Sequence, residues 1–139
     1  MTMSFLSSLK NLLYKRRKRK CGLSFPVFCK VHGVKAPDRQ GALVQSRNGD
    51  PLQIVHVPTK EYPFNVYVYS ITLNRVLGYL DERSAEQFVY LFKNGFCKDA
   101  VLEQITGGPP TYSYYGCNIR VLESSVLVTE TSFTHLRGE

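Results

Sequence analysis

The stretch VPTKEYPFNVYVYS, residues 57–70, carries the side chains best suited to recognition chemistry. Tyr62 is followed by Pro63, and Asn65 opens the alternating run Val66-Tyr67-Val68-Tyr69. Proline fixes its own φ, so the ring of Tyr62 sits on a stiff approach to a strand. Such a ring can stack on a flat ligand, an interaction of roughly 1–3 kcal/mol per nucleobase. The plainer alternative is a turn tyrosine lying flat on the protein. More rings follow in TGGPPTYSYYG, where Tyr112, Tyr114 and Tyr115 occupy a glycine-proline loop that would not ordinarily expose so many. Tyr67 and Tyr69 share one strand face and form either an aromatic platform or a cross-strand packing ladder. Tyr79 lies just before a helix, as a rim or core ring. Lys35 and Arg39 follow the first strand and would serve as phosphate partners or as ordinary surface cations.

Bond-making chemistry finds no such support. There is no Ser-His-Asp order, no HExxH and no P-loop, and TGGPP lacks the Lys-Ser/Thr and the helix that a phosphate cradle needs. Asp81 and Glu82 begin a helix, where acids suit the dipole. Cys21, Cys29, Cys97 and Cys117 form no CxxC pair, and His32, His56 and His135 do not complete a zinc spacing. The expectation is a non-enzyme without cofactor or metal, whose cysteines are buried thiols in a reducing, cytoplasmic setting.

The elements that must position these residues are short. VFCKVHGV, PLQIVHV, NVYVYSI, CKDAVLEQI and CNIRVL read as strands, and RNGD as a turn. In PLQIVHV, Gln53 and Val55 are candidates for an exposed face, with both faces partly covered. KAPDRQGALVQS reads as a loop, with a short turn at most. DERSAEQFVYLFKNG is the one clear interior helix, with Ala85, Phe88, Val89 and Phe92 at the helical period. Ser84 with Gln87 suggests its capping box, and Gly95 its stop. The predicted fold is mainly β with one or two helices, a small barrel of the OB or SH3-like kind. Barrel closure would protect the sheet edges. Residues 25–123 form this domain, and 124–139 a last strand or tail that includes SVLVTETSF.

The chain carries a net charge of +7, yet the charge is local. Residues 10–20, KNLLYKRRKRK, hold seven of the 18 Lys and Arg, leaving eleven charges of each sign elsewhere. A nearly neutral body cannot bind nucleic acid by broad phosphate neutralisation, so it needs a local pocket. Residues 1–24 read as a basic amphipathic arm, flexible and loosely packed. Phe5, Leu6, Leu9, Leu12 and Leu13 make its apolar stripe, and Lys15, Arg16, Arg17, Lys18, Arg19 and Lys20 its basic run. Unspecific attraction to nucleic acid is the first role for that run. Membrane binding is the weaker alternative and is not expected. No apolar run approaches the roughly 18–20 residues of a membrane span.

Four stretches, in order, resemble the HIRAN domain over residues 27–122: VHGV, GDPLQIVHVPTKEYPFNVYVY, RVLGYLDERSAEQFVYLFKNG and ITGGPPTYSYYGCNIRV. HIRAN is a small β-barrel module attached to Swi/Snf-type DNA translocases and also free-standing in bacteria. The resemblance implies binding of single-stranded DNA or DNA ends, in repair or replication-fork processing, with a helicase or nuclease as protein partner. It places Tyr62 at a stacking position, Asn65 at the start of the strand, Lys35 at a basic position, and Tyr79 at a ring position, with Tyr112, Tyr114 or Tyr115 closing the pocket. Arg39 joins Lys35 as a candidate cation. This chain departs from the family at Pro63, where an Asp that holds the terminal hydroxyl is usual, and at His56-Val57, where Arg-Glu is usual. Those departures suit an alternative, a protein-interaction module that has lost the DNA pocket.

Overall fold

A computed structural model describes residues 2–123, with side chains from residue 6 onward. Its elements are α1 (Thr2–Cys21), β1 (Val27–Lys30), α2 (Pro37–Gln45), β2 (Pro51–His56), β3 (Val66–Ser70), β4 (Arg75–Tyr79), α3 (Glu82–Phe92), β5 (Cys97–Gly107) and β6 (Tyr115–Val121). Alternation sets the faces of the sheet. In β3, Val66, Val68 and Ser70 are buried, while Tyr67 and Tyr69 stand half-buried on the other side. In β6, Cys117, Ile119 and Val121 are buried in the same alternating way. These inner faces pack with Leu52, Ile54, Leu77 and Leu102 and with Ala85, Phe88 and Val89 of α3 into one core.

The six strands of the described residues pair antiparallel, in the order β1-β6-β5-β2-β3-β4. The sheet curls until its two ends meet. His32, two residues past β1, exchanges backbone hydrogen bonds of 2.8 and 3.0 Å with Tyr79 at the end of β4. The fold is therefore mainly β and barrel-like, as the strand pattern predicts. Gly78 makes this contact possible, because a Cβ there would overlap the His32 carbonyl oxygen. A bulge next to it, between Val68 and Tyr69, adds local curvature.

Among the described residues three helices are present, where one or two were expected. KAPDRQGALVQS is not a loop: residues 37–45 form α2, with Pro37 in the first turn and Ala42 and Leu43 fully buried. Proline suits a first turn, whose amide needs no intrahelical partner. Gly41 disguised the short helix. α3 begins at Glu82, and its cap is Asp81, whose carboxylate accepts from the Ser84 amide at 3.1 Å, rather than a Ser84 box. Gln53 is fully buried, so the face of β2 opposite Leu52 and Ile54 is covered there too.

The N-terminal segment departs furthest from a loose arm. It is a 20-residue helix whose second half docks on α3. Tyr14 stacks on Phe92 at 6.2 Å, Arg17 Nε donates to the Leu91 carbonyl, and Lys18 pairs with Glu123 at 2.7 Å. The hydrogen bond from Lys18, aided by one from Tyr14, holds the Glu123 carboxyl below its ordinary range. Phe92 also meets Phe25, Phe88 and Phe96, so the docking site continues the aromatic edge of the core. Charge alone did not reveal this, because the hydrogen bonds come from Tyr14, Arg17, Lys18 and Cys21, and most of the basic run stays exposed. The strand or tail expected over 124–139 lies outside the described residues.

Cys29 and Cys117 are buried, and burial pushes their thiols up to about 11 and about 12. Only the thiolate reacts. Iodoacetamide at neutral pH should therefore leave both unmodified in the native protein and alkylate them in denaturant, as peptide mass mapping would show. Rapid native labelling of either would contradict the packed barrel.

Candidate nucleic-acid interface

The loop between β2 and β3 carries Tyr62 and is tied at Val57, Thr59, Tyr62 and Asn65. Tyr62 N donates to Thr59 Oγ1 at 2.9 Å, and the Tyr62 carbonyl accepts from the amides of Thr59 and Asn65 at 3.0 and 3.1 Å. Asn65 Nδ2 donates to the Val57 carbonyl at 3.1 Å, and the Val57 amide donates to the Asn65 carbonyl at 2.9 Å. Asn65 thus acts on the backbone at the mouth of the strand, which accounts for its place in the sequence. The loop is fixed, and yet the ring of Tyr62 is 64% exposed.

A sixth tie comes from His56. This side chain is buried and continues the inward face of Leu52 and Ile54. The Gly95 amide can only donate, so His56 Nδ1 accepts from it at 2.8 Å. The Pro63 carbonyl can only accept, so Nε2 carries the proton and donates to it at 2.8 Å. One imidazole joins the turn after α3 to the Tyr62 loop, with its ring stacked 6.0 Å from Phe96.

Tyr62, Asn65, Tyr79 and Arg39 line one cleft of about 400 Å³. Tyr67 joins them, because it pairs directly with Tyr79 across β3 and β4. Tyr79 is 40% exposed. Its ring lies against Gly33, where a Cβ would overlap it. Arg39, from α2, places its guanidinium 5.9 Å from the Tyr79 ring centre and donates to the Gly33 carbonyl at 2.8 Å. Glu82 supplies a carboxylate at the rim, and Pro63 and Phe64 supply apolar wall. The cleft offers three phenol rings and one cation, an arrangement able to hold a planar group beside an anionic one.

Lys35, Tyr112 and Tyr114 lie outside this cleft; Lys35 and Tyr114 meet, and Tyr112 stands in the same loop as Tyr114. Lys35 Nζ sits 5.4 Å from the Tyr114 ring centre, and Tyr112 and Tyr114 are both exposed. Gln40, beside Arg39 on α2, ties that helix to the backbone flanking Lys35 and Tyr114. Its Nε2 donates to the carbonyls of Val34 and Tyr115, and its Oε1 accepts from the Tyr115 amide at 2.9 Å. The 108–114 loop is closed by bonds of 3.0 Å from Gly108 N to the Tyr114 carbonyl and from Tyr112 N to the Gly108 carbonyl. Tyr115 is not an available ring, since it packs on the core and against Gly108. Tyr69 is half-buried and does not line the cleft.

Four of the seven residues expected at the site thus share a cleft, and Lys35, Tyr112 and Tyr114 lie outside it. The basic run belongs to neither. Arg17 and Lys18 turn toward the body at the C-terminal half of α3, whereas the cleft meets α3 at Glu82 and Ala85. Sequence reasoning missed His56, Gln40 and Glu82. His56 left a signal, since it falls on the inward alternation of β2. Gln40 left none, because its partners are remote in sequence. Among the described residues no group of His, Cys, Asp and Glu is arranged to hold a metal ion.

Fold and cleft define a small barrel-like protein with an aromatic cleft at the junction of β3, β4 and α2. Comparison with protein-family models, curated proteins and solved structures finds no match for this chain.

Proposed function

We propose that this protein is a single-stranded nucleic-acid-binding module of HIRAN-like design that takes a base or strand end into the Tyr62–Tyr79 cleft. The observation that carries the reading is the pairing of a rigid backbone with an exposed ring. Six hydrogen bonds hold the Tyr62 loop, while its side chain remains 64% exposed beside Tyr67 and Tyr79. The fixed loop therefore holds an exposed ring in one place, ready to stack. Arg39 beside Tyr79 supplies a phosphate partner, and Lys35 with Tyr112 and Tyr114 extends the same chemistry to a following nucleotide. DNA repair or fork processing, with a helicase or nuclease partner, is the setting this reading suggests.

Fluorescence anisotropy of the full chain tests it, using oligonucleotides that end in a free 3′ hydroxyl or a 3′ phosphate, and a duplex. Tyr62→Ala should weaken single-strand binding by about 1–3 kcal/mol, with the circular dichroism unchanged. Preference for the free 3′ hydroxyl would assign end reading to the cleft, where Glu82 is the carboxylate at hand. Equal binding to all single strands would leave stacking alone. Absence of binding, or indifference to Tyr62→Ala, would overturn the reading. The cleft would then fit an apolar peptide, a use that Pro63, Phe64 and the near-neutral body favour.

A further inference from the structure

Among the described residues, the leucines of α1 stand outside the hydrophobic core. Leu6, Leu9, Leu12 and Leu13 are 42–64% exposed, and Leu6, Leu9 and Leu13 recur at three and four residues. The contacts that dock α1 come instead from Tyr14, Arg17, Lys18 and Cys21. A helix this size is about 30 Å long. It is divided along its length, with apolar residues in its first half and cations in its second. Lys15, Arg16, Arg19 and Lys20 are exposed, so the cations not used in docking face outward with the leucines. A groove of about 560 Å³ between α1 and the body brings Lys10, Arg17, Lys93 and Lys98 together beside Leu13, against the single carboxylate of Glu123. The seam next to the apolar stripe is therefore also cationic.

We propose that α1 is an interfacial helix that seats the protein on an anionic lipid surface, with its leucines among the acyl chains and its cations at the lipid phosphates. Charge complementarity selects this occupant. A polynucleotide would use the cations and leave four leucines in water, and a second copy would cover the leucines but leave the cations without counter-charges. An anionic bilayer satisfies both halves, and neither half alone gives lasting attachment. No described helix is long and apolar enough to cross a membrane, and the proposed attachment requires none. Docking on α3 fixes the helix to the barrel, so the stripe is presented without unfolding the domain. The cleft, at the other end of α3, would remain open to its ligand.

The test is co-sedimentation of the full chain with vesicles of phosphatidylcholine and with equimolar phosphatidylcholine and phosphatidylserine. The protein should pellet with the mixture, more weakly as salt rises, and not with phosphatidylcholine alone. Lys15→Gln, Arg16→Gln, Arg19→Gln and Lys20→Gln combined should weaken binding several hundred-fold, at roughly fivefold for each cation. Leu9→Gln with Leu12→Gln should abolish pelleting, and circular dichroism and sedimentation velocity should confirm a folded protein. Tyr62→Ala, which disables the proposed base-binding cleft, should pellet normally, so failure of one reading is distinguishable from failure of the other. Three results would overturn the lipid assignment: equal binding to both vesicles or to neither; a dimer that Leu9→Gln with Leu12→Gln dissociates; or loss of oligonucleotide binding in the charge variant with vesicles ignored throughout.

Discussion

Gly78→Ala should cost the fold about 3 kcal/mol, the result of one methyl group placed where two strands close the barrel. Overpacking in a well-packed interior costs typically 1–3 kcal/mol, when side chains can adjust. Here the added Cβ would strike the His32 carbonyl oxygen, which is backbone, and the Val31 side chain, which is buried. The methyl group can be accommodated only if His32 and Tyr79 separate, which sacrifices their two hydrogen bonds at about 1 kcal/mol each. In urea denaturation the midpoint should fall accordingly, and Tm should drop by on the order of 10 °C. Gly41→Ala is the matched control. Gly41 lies inside α2 with open space around its Cβ position, so alanine there should stabilise by roughly 0.5–1 kcal/mol. A silent Gly78→Ala would mean that His32 and Tyr79 do not close the barrel in solution.

His56→Ala should be nearly as damaging, about 3 kcal/mol, and its effect should reach the binding cleft. The ring satisfies two backbone groups, the Gly95 amide and the Pro63 carbonyl, both at 2.8 Å. Gly95 and Pro63 are themselves exposed, so water takes up part of each lost bond, at about 1 kcal/mol apiece, and the larger share of the cost comes from emptying the buried site beside Phe96. The damage should also be local. Hydrogen exchange at Gly95 should accelerate, and any ligand that depends on a fixed Tyr62 should bind more weakly than stability alone predicts. His56→Asn offers an acceptor near the Nδ1 position and should restore protection at Gly95 but leave the Pro63 carbonyl unpartnered. Equal stability of wild type, His56→Ala and His56→Asn would show that the imidazole does not join the loop to the turn after α3.

Much of the architecture was legible along the chain. Val66, Tyr67, Val68 and Tyr69 declare their two faces, because strand side chains alternate and apolar ones must leave water. Phe88, Val89 and Phe92 declare α3 in the same way at the helical period. α2 was not legible, since nine residues with a central glycine and an apolar pair look like a loop until β4 and β6 cover them. The cap of α3 was misplaced by three residues, because Ser84 and Asp81 both satisfy local capping rules and only the geometry chooses between them.

By itself the sequence determined the mainly-β class, the strand faces, the principal helix and the residue types available for stacking. These follow from local periodicity and from proline and glycine chemistry, which act over a few residues. The tertiary structure alone decided which of those residues meet. Tyr62 joins Tyr79 and Arg39 because β3 pairs with β4 and α2 packs beside them. His56 faces Pro63 and Gly95 because the chain returns after α3. It also decided that α1 docks through Tyr14, Arg17 and Lys18 and leaves its leucines outward. A helical stripe says only that a face is apolar, and what covers that face depends on contacts remote in sequence.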